Sequence, residues 1–175
     1  MLLRGERVAL RPLVADDLGA VYDALREPEV ARWWNAFDED RIREELLETP
    51  GTTAFAIEVA AAFAGAVICS EELDPDYRHA GIDIFLAGAY QDRGYGSEAI
   101  RVLASYLFGE RGHHRLTIDP ALANERAIRA YERVGFRAVG VMRDYERGPD
   151  GSWHDSLLMD LLAREFEPEI YALPG

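Results

Sequence analysis

Gln91-Asp92-Arg93-Gly94-Tyr95-Gly96-Ser97 joins an apolar, strand-like run, Gly81-Ile82-Asp83-Ile84-Phe85-Leu86, to an amphipathic, helix-like run that begins near Ser97. Glycines at 94 and 96 remove side chains where a ligand must approach the backbone. The helix that follows points its unpaired N–H groups and the positive end of its dipole back at that loop. The segment therefore reads as a pyrophosphate cradle. Gly94-Tyr95-Gly96-Ser97-Glu98-Ala99 also fits the dinucleotide fingerprint G-x-G-x-x-A, and Asp119 closes the next strand, where a ribose-binding acid would stand. Two features oppose that alternative. Ala87 to Arg93 intervene between strand and glycine turn, and too few residues follow Asp119 for the remaining βαβ units.

A second segment, Asn124-Glu125-Arg126-Ala127-Ile128-Arg129-Ala130-Tyr131-Glu132-Arg133-Val134-Gly135-Phe136, carries the pattern N-x-x-A-x-x-x-Y-x-x-x-G-F. In this order and separation the two segments resemble the hallmarks of the GCN5-related N-acetyltransferases (GNAT), whose coenzyme A loop reads Gln/Arg-x-x-Gly-x-Gly/Ala. The resemblance covers roughly 7–162 and leaves a short tail, 163–175. Within the family, Glu29-Val30-Ala31-Arg32-Trp33-Trp34, Gly81-Ile82-Asp83 and Asp119-Pro120 are similar to the aminoglycoside 6′-N-acetyltransferase branch. The resemblance implies an α+β, three-layer fold. Its central sheet is mixed and mostly antiparallel, splayed between strands 4 and 5, with helices on both faces.

Composition sets the outer bounds. A chain of 175 residues, 49% hydrophobic, is enough for one domain with a real core but not comfortably for two, so a single domain over 1–175 is expected. Met1-Leu2-Leu3-Arg4-Gly5-Glu6-Arg7 has no apolar signal region, and no apolar run approaches the ~20 residues of a membrane span. A cytoplasmic protein without membrane contact is expected. The single cysteine, Cys69, lies in the apolar run 64–70 and reads as a buried thiol rather than a nucleophile. Thirty-two acidic against 19 basic side chains give a formal net charge of −13, which repels nucleic acid and attracts cationic ligands. The same acidity also serves solubility. All the basic residues are arginine; without lysine, P-loop and Schiff-base chemistry are excluded.

Along the chain, Arg7 to Leu13 alternates as a strand, and Asp16 can cap a helix whose Leu18, Val21, Tyr22 and Leu25 recur at helical spacing. A short piece from Pro28 to Trp34 and a charged helix from about Asp38 to Glu48 follow, ended by Thr49-Pro50-Gly51. Thr53 to Val59 and Gly65 to Glu71 read as paired strands, although the intervening Ala60-Ala61-Ala62-Phe63-Ala64 lacks an Asn-Gly or Asp-Gly turn signal. Tyr77 to Leu86 and Arg115 to Asp119 are the fourth and fifth strands, with a helix from Ser97 to Phe108 between them, stopped by Gly109 and Gly112. Asn124 to Val134 is a further helix. Ala138 to Arg147 and Trp153 to Leu162 flank the turn Gly148-Pro149-Asp150-Gly151.

Asp83 stands in an apolar strand that also carries Phe85 on its face. A carboxylate buried there without use would cost several kcal/mol, although alternation alone permits an ordinary solvent-facing aspartate. The resemblance makes Asp83 the candidate general base, because a protonated amine cannot attack a thioester. Tyr131 shares a helical stripe with Ile128 and Val134, which by itself suits core packing. The resemblance implies instead a general acid near the coenzyme sulfur. Asn124 reads as the N-cap of its helix, and the family adds a contact with the coenzyme arm. By the same resemblance Ile84, Phe85 and Leu86 pair with pantetheine, Gln91, Asp92, Arg93, Gly94, Tyr95, Gly96 and Ser97 hold the pyrophosphate, and Ala127 lines the coenzyme. The cofactor implied is acetyl-coenzyme A as co-substrate.

Of the adjacent tryptophans Trp33 and Trp34, at least one must point away from any core, and with Asp38, Glu39 and Asp40 they suit a flat polycation. Asp119 is either a turn-forming Asp-Pro or, by resemblance, part of amine recognition. His79, His113, His114 and His154 lack metal-ligand spacing, so no metal is expected. Direct acetyl transfer to a cationic small amine, such as an aminoglycoside, is the function the resemblance implies. Polyamine acetylation, protein N-terminal acetylation and a non-catalytic coenzyme A-binding module are the alternatives, and a homodimer is possible.

Overall fold

The computed structural model describes residues 1–168; the rest of the expected tail, 169–175, lies outside the described residues. Strands β1 (Leu3–Arg4), β2 (Val8–Pro12), β3 (Thr52–Val59), β4 (Ala62–Glu72), β5 (His79–Leu86), β6 (Arg115–Ile118), β7 (Arg137–Arg147) and β8 (Trp153–Leu162) form one sheet in the order β1-β2-β3-β4-β5-β6-β8-β7. Neighbours are antiparallel except β5 and β6, which are parallel. A parallel pair needs a crossover, and the helix α4 (Tyr95–Gly109) provides it.

Both faces of the sheet are covered. On one, Ala99, Ile100, Leu103 and Leu107 of α4 and Val134 of α5 (Glu125–Val134) pack with Leu10, Phe55, Ile57, Val67 and Ile82. On the other, Leu18, Val21 and Leu25 of α1 (Leu18–Arg26), Val30 of α2 (Pro28–Ala31) and Ile42 of α3 (Glu39–Arg43) pack with Ala54, Ala56, Ala66, Ile68 and Phe85. The two faces of β5 thus feed different layers, Ile82 one and, three residues on, Phe85 the other, as the two-residue period of a strand requires.

The helices and strands expected from the sequence are present, with displaced boundaries. The added strand β1 shifts the count, so the fourth and fifth expected strands are β5 and β6. The fourth begins at His79 rather than Tyr77; Tyr77 is exposed in the preceding turn. The Ser97 helix begins two residues earlier, at Tyr95. Asp119 lies just beyond β6, which ends at Ile118. The charged helix 38–48 is α3 followed by a wider, π-type turn at Glu44–Glu48. Asp16 caps nothing; Asp17 instead accepts the Val14 N–H at 2.9 Å and Arg11 Nη1 and Nη2, each at 2.7 Å. A strand-borne arginine, invisible to a local capping rule, decides between the two aspartates.

The hairpin between β3 and β4 closes through Ala60 and Ala61 alone, with φ 48° and 64°. That is the backbone of a two-residue turn that usually recruits Asn-Gly. The long register from Thr52↔Ser70 to Val59↔Ala62 imposes it on two alanines.

Candidate functional site

The loop after β5 is fixed from three sides. Gln91 Nε2 donates to the Leu86 carbonyl at 2.8 Å, and Arg7 Nη1 donates to the Arg93 carbonyl at 3.0 Å. Arg126, on α5, donates to Gln91 Oε1 at 2.8 Å and to the Asp92 carboxylate at 3.1 Å. Asp92 and Gly94 both take positive φ, 59° and 81°, on either side of Arg93. Such alternation gathers backbone N–H groups into an anion-binding concavity. Gly94 is the N-cap of α4, so the N–H groups of Tyr95, Gly96 and Ser97 have no partner within the helix.

Gly94 is required by its φ and has little space for a side chain, whereas Gly96 would accept a Cβ at ordinary contact distance. A Cβ at Gly94 would stand 3.2 Å from Arg7 Nη2, and one at Gly96 3.4 Å from Leu86 Cδ1. Behind the loop, the buried Glu98 accepts the Arg7 and Val8 N–H groups and the Arg7 guanidinium. These features fit a diphosphate against the helix end.

The cleft continues from this loop between β5 and α5. Pairing of β5 with β6 comprises Ala80↔Leu116 and Gly81↔Thr117, and past Gly81 the two strands part. The backbone of Ile84, Phe85 and Leu86 therefore borders an opening, lined across from it by Asn124, Ala127, Ala130 and Tyr131. Asn124 is the N-cap of α5, accepting the Ala127 N–H at 3.2 Å.

A second cavity adjoins the first and shares Trp33, Trp34, Ile84, Asn124 and Tyr131 with it. Its remaining wall is acidic: Asp83, Asp119 and Glu146, beside Ile118, Pro120 and Ala121. Trp34 sets its ring edge-on to Phe85 at 5.3 Å and packs against the core while it, like Trp33, lines both cavities. The sequence-derived residues thus come together on two adjoining cavities, apart from Arg93 and Tyr95. Arg93 reaches the site as a backbone carbonyl, and the Tyr95 ring lies under the Arg7 guanidinium, 5.1 Å from it.

Asp83 is neither fully buried nor on the outer surface: it is open to water inside the pocket, with protein packed around the rest. Burial, then the negative charges of Asp119, Glu146 and Glu45, push its carboxyl up to about 7. Water in the pocket relieves part of that effect, and an occupant that displaces water restores it. Burial likewise raises Asp119 and Glu146, while the Tyr145 hydroxyl, donating to Asp119, pulls that group back down. Burial raises the Tyr131 phenol, aided by Asp83 and Asp119, so it stays protonated. Burial pushes the Cys69 thiol up to about 11, which leaves it no nucleophilic character near neutrality.

Three contributors escaped the sequence reading: Arg126, Tyr145 and Glu146. In a regular strand neighbours face opposite sides, so Tyr145 and Glu146 would not both address one pocket. The register of β7 on β8 jumps between Met142↔Ser156 and Glu146↔His154, around Asp144 at φ 47°. That bulge re-aims the strand. Arg126 occupies an unspecified position of the N-x-x-A pattern, and only its partners mark it.

Comparison with known proteins agrees with this geometry. The family model for the acetyltransferase (GNAT) domain matches residues 7–137. Aminoglycoside N(6′)-acetyltransferase type 1 of Klebsiella pneumoniae is 30% identical over 167 residues, 83% of this chain and 80% of that protein. Spermidine N(1)-acetyltransferase of Escherichia coli K12 is 25% identical over 174 residues, 96% of this chain and 92% of that one. The structure of Vibrio cholerae spermidine N-acetyltransferase with CoA and spermine superimposes with a TM-score of 0.80 at 21% identity, covering 92% of this chain and 98% of that one. With a family match over most of its length and the family's sheet, the chain belongs to the GNAT acetyltransferases, enzymes that use acetyl-coenzyme A.

Proposed function

We propose that this N-acetyltransferase transfers acetyl to a primary amine of a cationic small molecule, the 6′-amine of an aminoglycoside. The observation that carries the proposal is the convergence of Asp83, Asp119 and Glu146 on a pocket walled by Trp33 and directly adjoining the coenzyme cleft. Three carboxylates in one pocket favour a polycation, and an indole face suits a flat, partly apolar ring. The 30% identity to the Klebsiella enzyme supports the choice of acceptor.

Acetyl-coenzyme A, when bound, supplies an activated acetyl thioester. The N–H groups of 92–97 and the α4 terminus would hold its diphosphate, and Ile84, Phe85, Leu86, Asn124 and Ala127 its arm. Asp83 Oδ takes the proton from the acceptor ammonium, its raised affinity placing that transfer near neutral pH. Unpaired backbone N–H groups of β5 polarise the reacting carbonyl. Tyr131 Oη, kept protonated by burial, holds the proton that a leaving sulfur requires. Asp119 and Glu146 hold the acceptor's positive charge. Transfer is direct, with no acetylated side chain.

The test is thiol release from acetyl-coenzyme A across kanamycin-type aminoglycosides, a 6′-hydroxyl analogue, spermidine and short N-terminal peptides. Turnover on 6′-amines and none on the 6′-hydroxyl analogue is the expected outcome. Turnover confined to spermidine or peptides would replace the acceptor, and coenzyme binding without turnover on any amine would leave a binding module.

A further inference from the structure

Arg126 sits on the first turn of α5 and spans the mouth of the coenzyme cleft. Its Nη2 donates to Gln91 Oε1 at 2.8 Å, and its Nη1 to the Asp92 oxygens at 3.1 and 3.3 Å. The same side chain lines the cleft with Asp92, Gly94, Gly96 and Ser97. Asp92 is out of place there: a carboxylate within a turn whose N–H groups attract an anion. A diphosphate arriving on that turn meets the carboxylate's repulsion and competes with it for one guanidinium.

The competition is uneven. Arg126 and Asp92 are 48% and 71% exposed, so their pair is screened and weak. A diphosphate carries more charge and accepts a planar guanidinium through two parallel hydrogen bonds. Gln91 is anchored separately through Nε2 to Leu86, so its Oε1 can keep Nη2 while Nη1 changes partner.

We propose that Arg126 is a transferable clamp, held by Asp92 before the coenzyme binds and turned onto its diphosphate afterwards, drawing the start of α5 against the loop. Asp92 then acts as a parking site that holds the guanidinium at the cleft mouth. The inference rests on the reading that the coenzyme diphosphate lies against residues 92–97.

Calorimetric binding of coenzyme A and of dephospho-coenzyme A, which keeps the diphosphate but lacks the 3′-phosphate, tests it without any acceptor. Arg126→Gln should weaken both ligands by the same factor, roughly tenfold, and flatten the salt dependence of binding. Arg126→Lys, retaining charge without the fork, should recover part of the loss, and serves if the glutamine variant folds poorly. Asp92→Asn should tighten both ligands severalfold. Unchanged affinity in Arg126→Gln, a loss confined to coenzyme A and absent for dephospho-coenzyme A, or weaker binding in Asp92→Asn would each overturn the clamp. If the unaltered protein failed to bind coenzyme A, the coenzyme reading would fall instead.

Discussion

Glu98 and Arg7 are joined twice, since Oε1 accepts the Arg7 N–H at 2.6 Å and Oε2 accepts Arg7 Nε at 2.9 Å, and Arg7 Nη1 continues to the Arg93 carbonyl. Oε1 also takes the Val8 N–H at 3.1 Å. One buried carboxylate thereby fastens the entry of β2 to the first turn of α4 and, through Arg7, to the anion-binding loop. Glu98→Ala should lower stability by about 2–3 kcal/mol, because buried N–H groups lose their acceptor. Arg7 is half exposed and remains solvated, which keeps the cost below that of a fully buried ion. Urea denaturation measures the loss.

Asp83 carries both a rate and a stability prediction. As a base it must be ionised, so kcat/KM should rise with pH through about 7 and then level off. Asp83→Asn should remove that rise and lower the rate by roughly 10²–10⁴-fold. An unchanged profile would assign the proton to another group.

The same raised affinity makes the folded state bind more protons than the unfolded chain between the ordinary carboxylate range and about pH 7. Stability contributed by Asp83 is therefore lost as pH rises through that window. Asp83→Asn should accordingly raise Tm at mildly alkaline pH and do less near pH ~4, where the folded state is protonated and the unfolded chain is about half so. Thermal melts at the two pH values check the sign.

Tyr131→Phe should lower kcat by about 10²-fold with little change in coenzyme A affinity, since only proton delivery is lost. The ring also packs on Phe136, centroids 6.4 Å apart, and phenylalanine keeps that contact. Wild-type turnover in this variant would remove Tyr131 from the chemistry.

Ala60 and Ala61 carry left-handed backbone that costs alanine about 1–2 kcal/mol per residue. The double substitution Ala60→Asn with Ala61→Gly should stabilise the protein by ~1 kcal/mol after the glycine's own entropic cost. Chemical denaturation of the double variant reads it directly.

The cradle 91–97 and the helix 124–134 were legible because glycine, capping and periodicity are local signals, and local signals survive folding. The asparagine cap at 124 appeared as expected. The Ala60-Ala61 turn was not legible, since strand pairing rather than turn chemistry forces it. Asp17 outcompeted Asp16 through Arg11, a partner on β2. Glu146 lines the acidic pocket and Tyr145 reaches Asp119 beside a bulge in β7, which no alternation rule contains. Composition announced the acidity of the molecule but not its concentration at one pocket.

The parting of β5 from β6 after Gly81 leaves the sheet with a seam along which, among the described residues, β5 has no paired strand on one side. A pantetheine arm carries two amides, and laid along that seam it would knit the halves together as a piece of borrowed strand. Cohesion of the sheet would then track the cellular supply of the coenzyme. Scarcity would loosen the molecule at its centre and speed amide exchange at 82–86, so that its lifetime against proteases would follow metabolic state as well as amino-acid sequence.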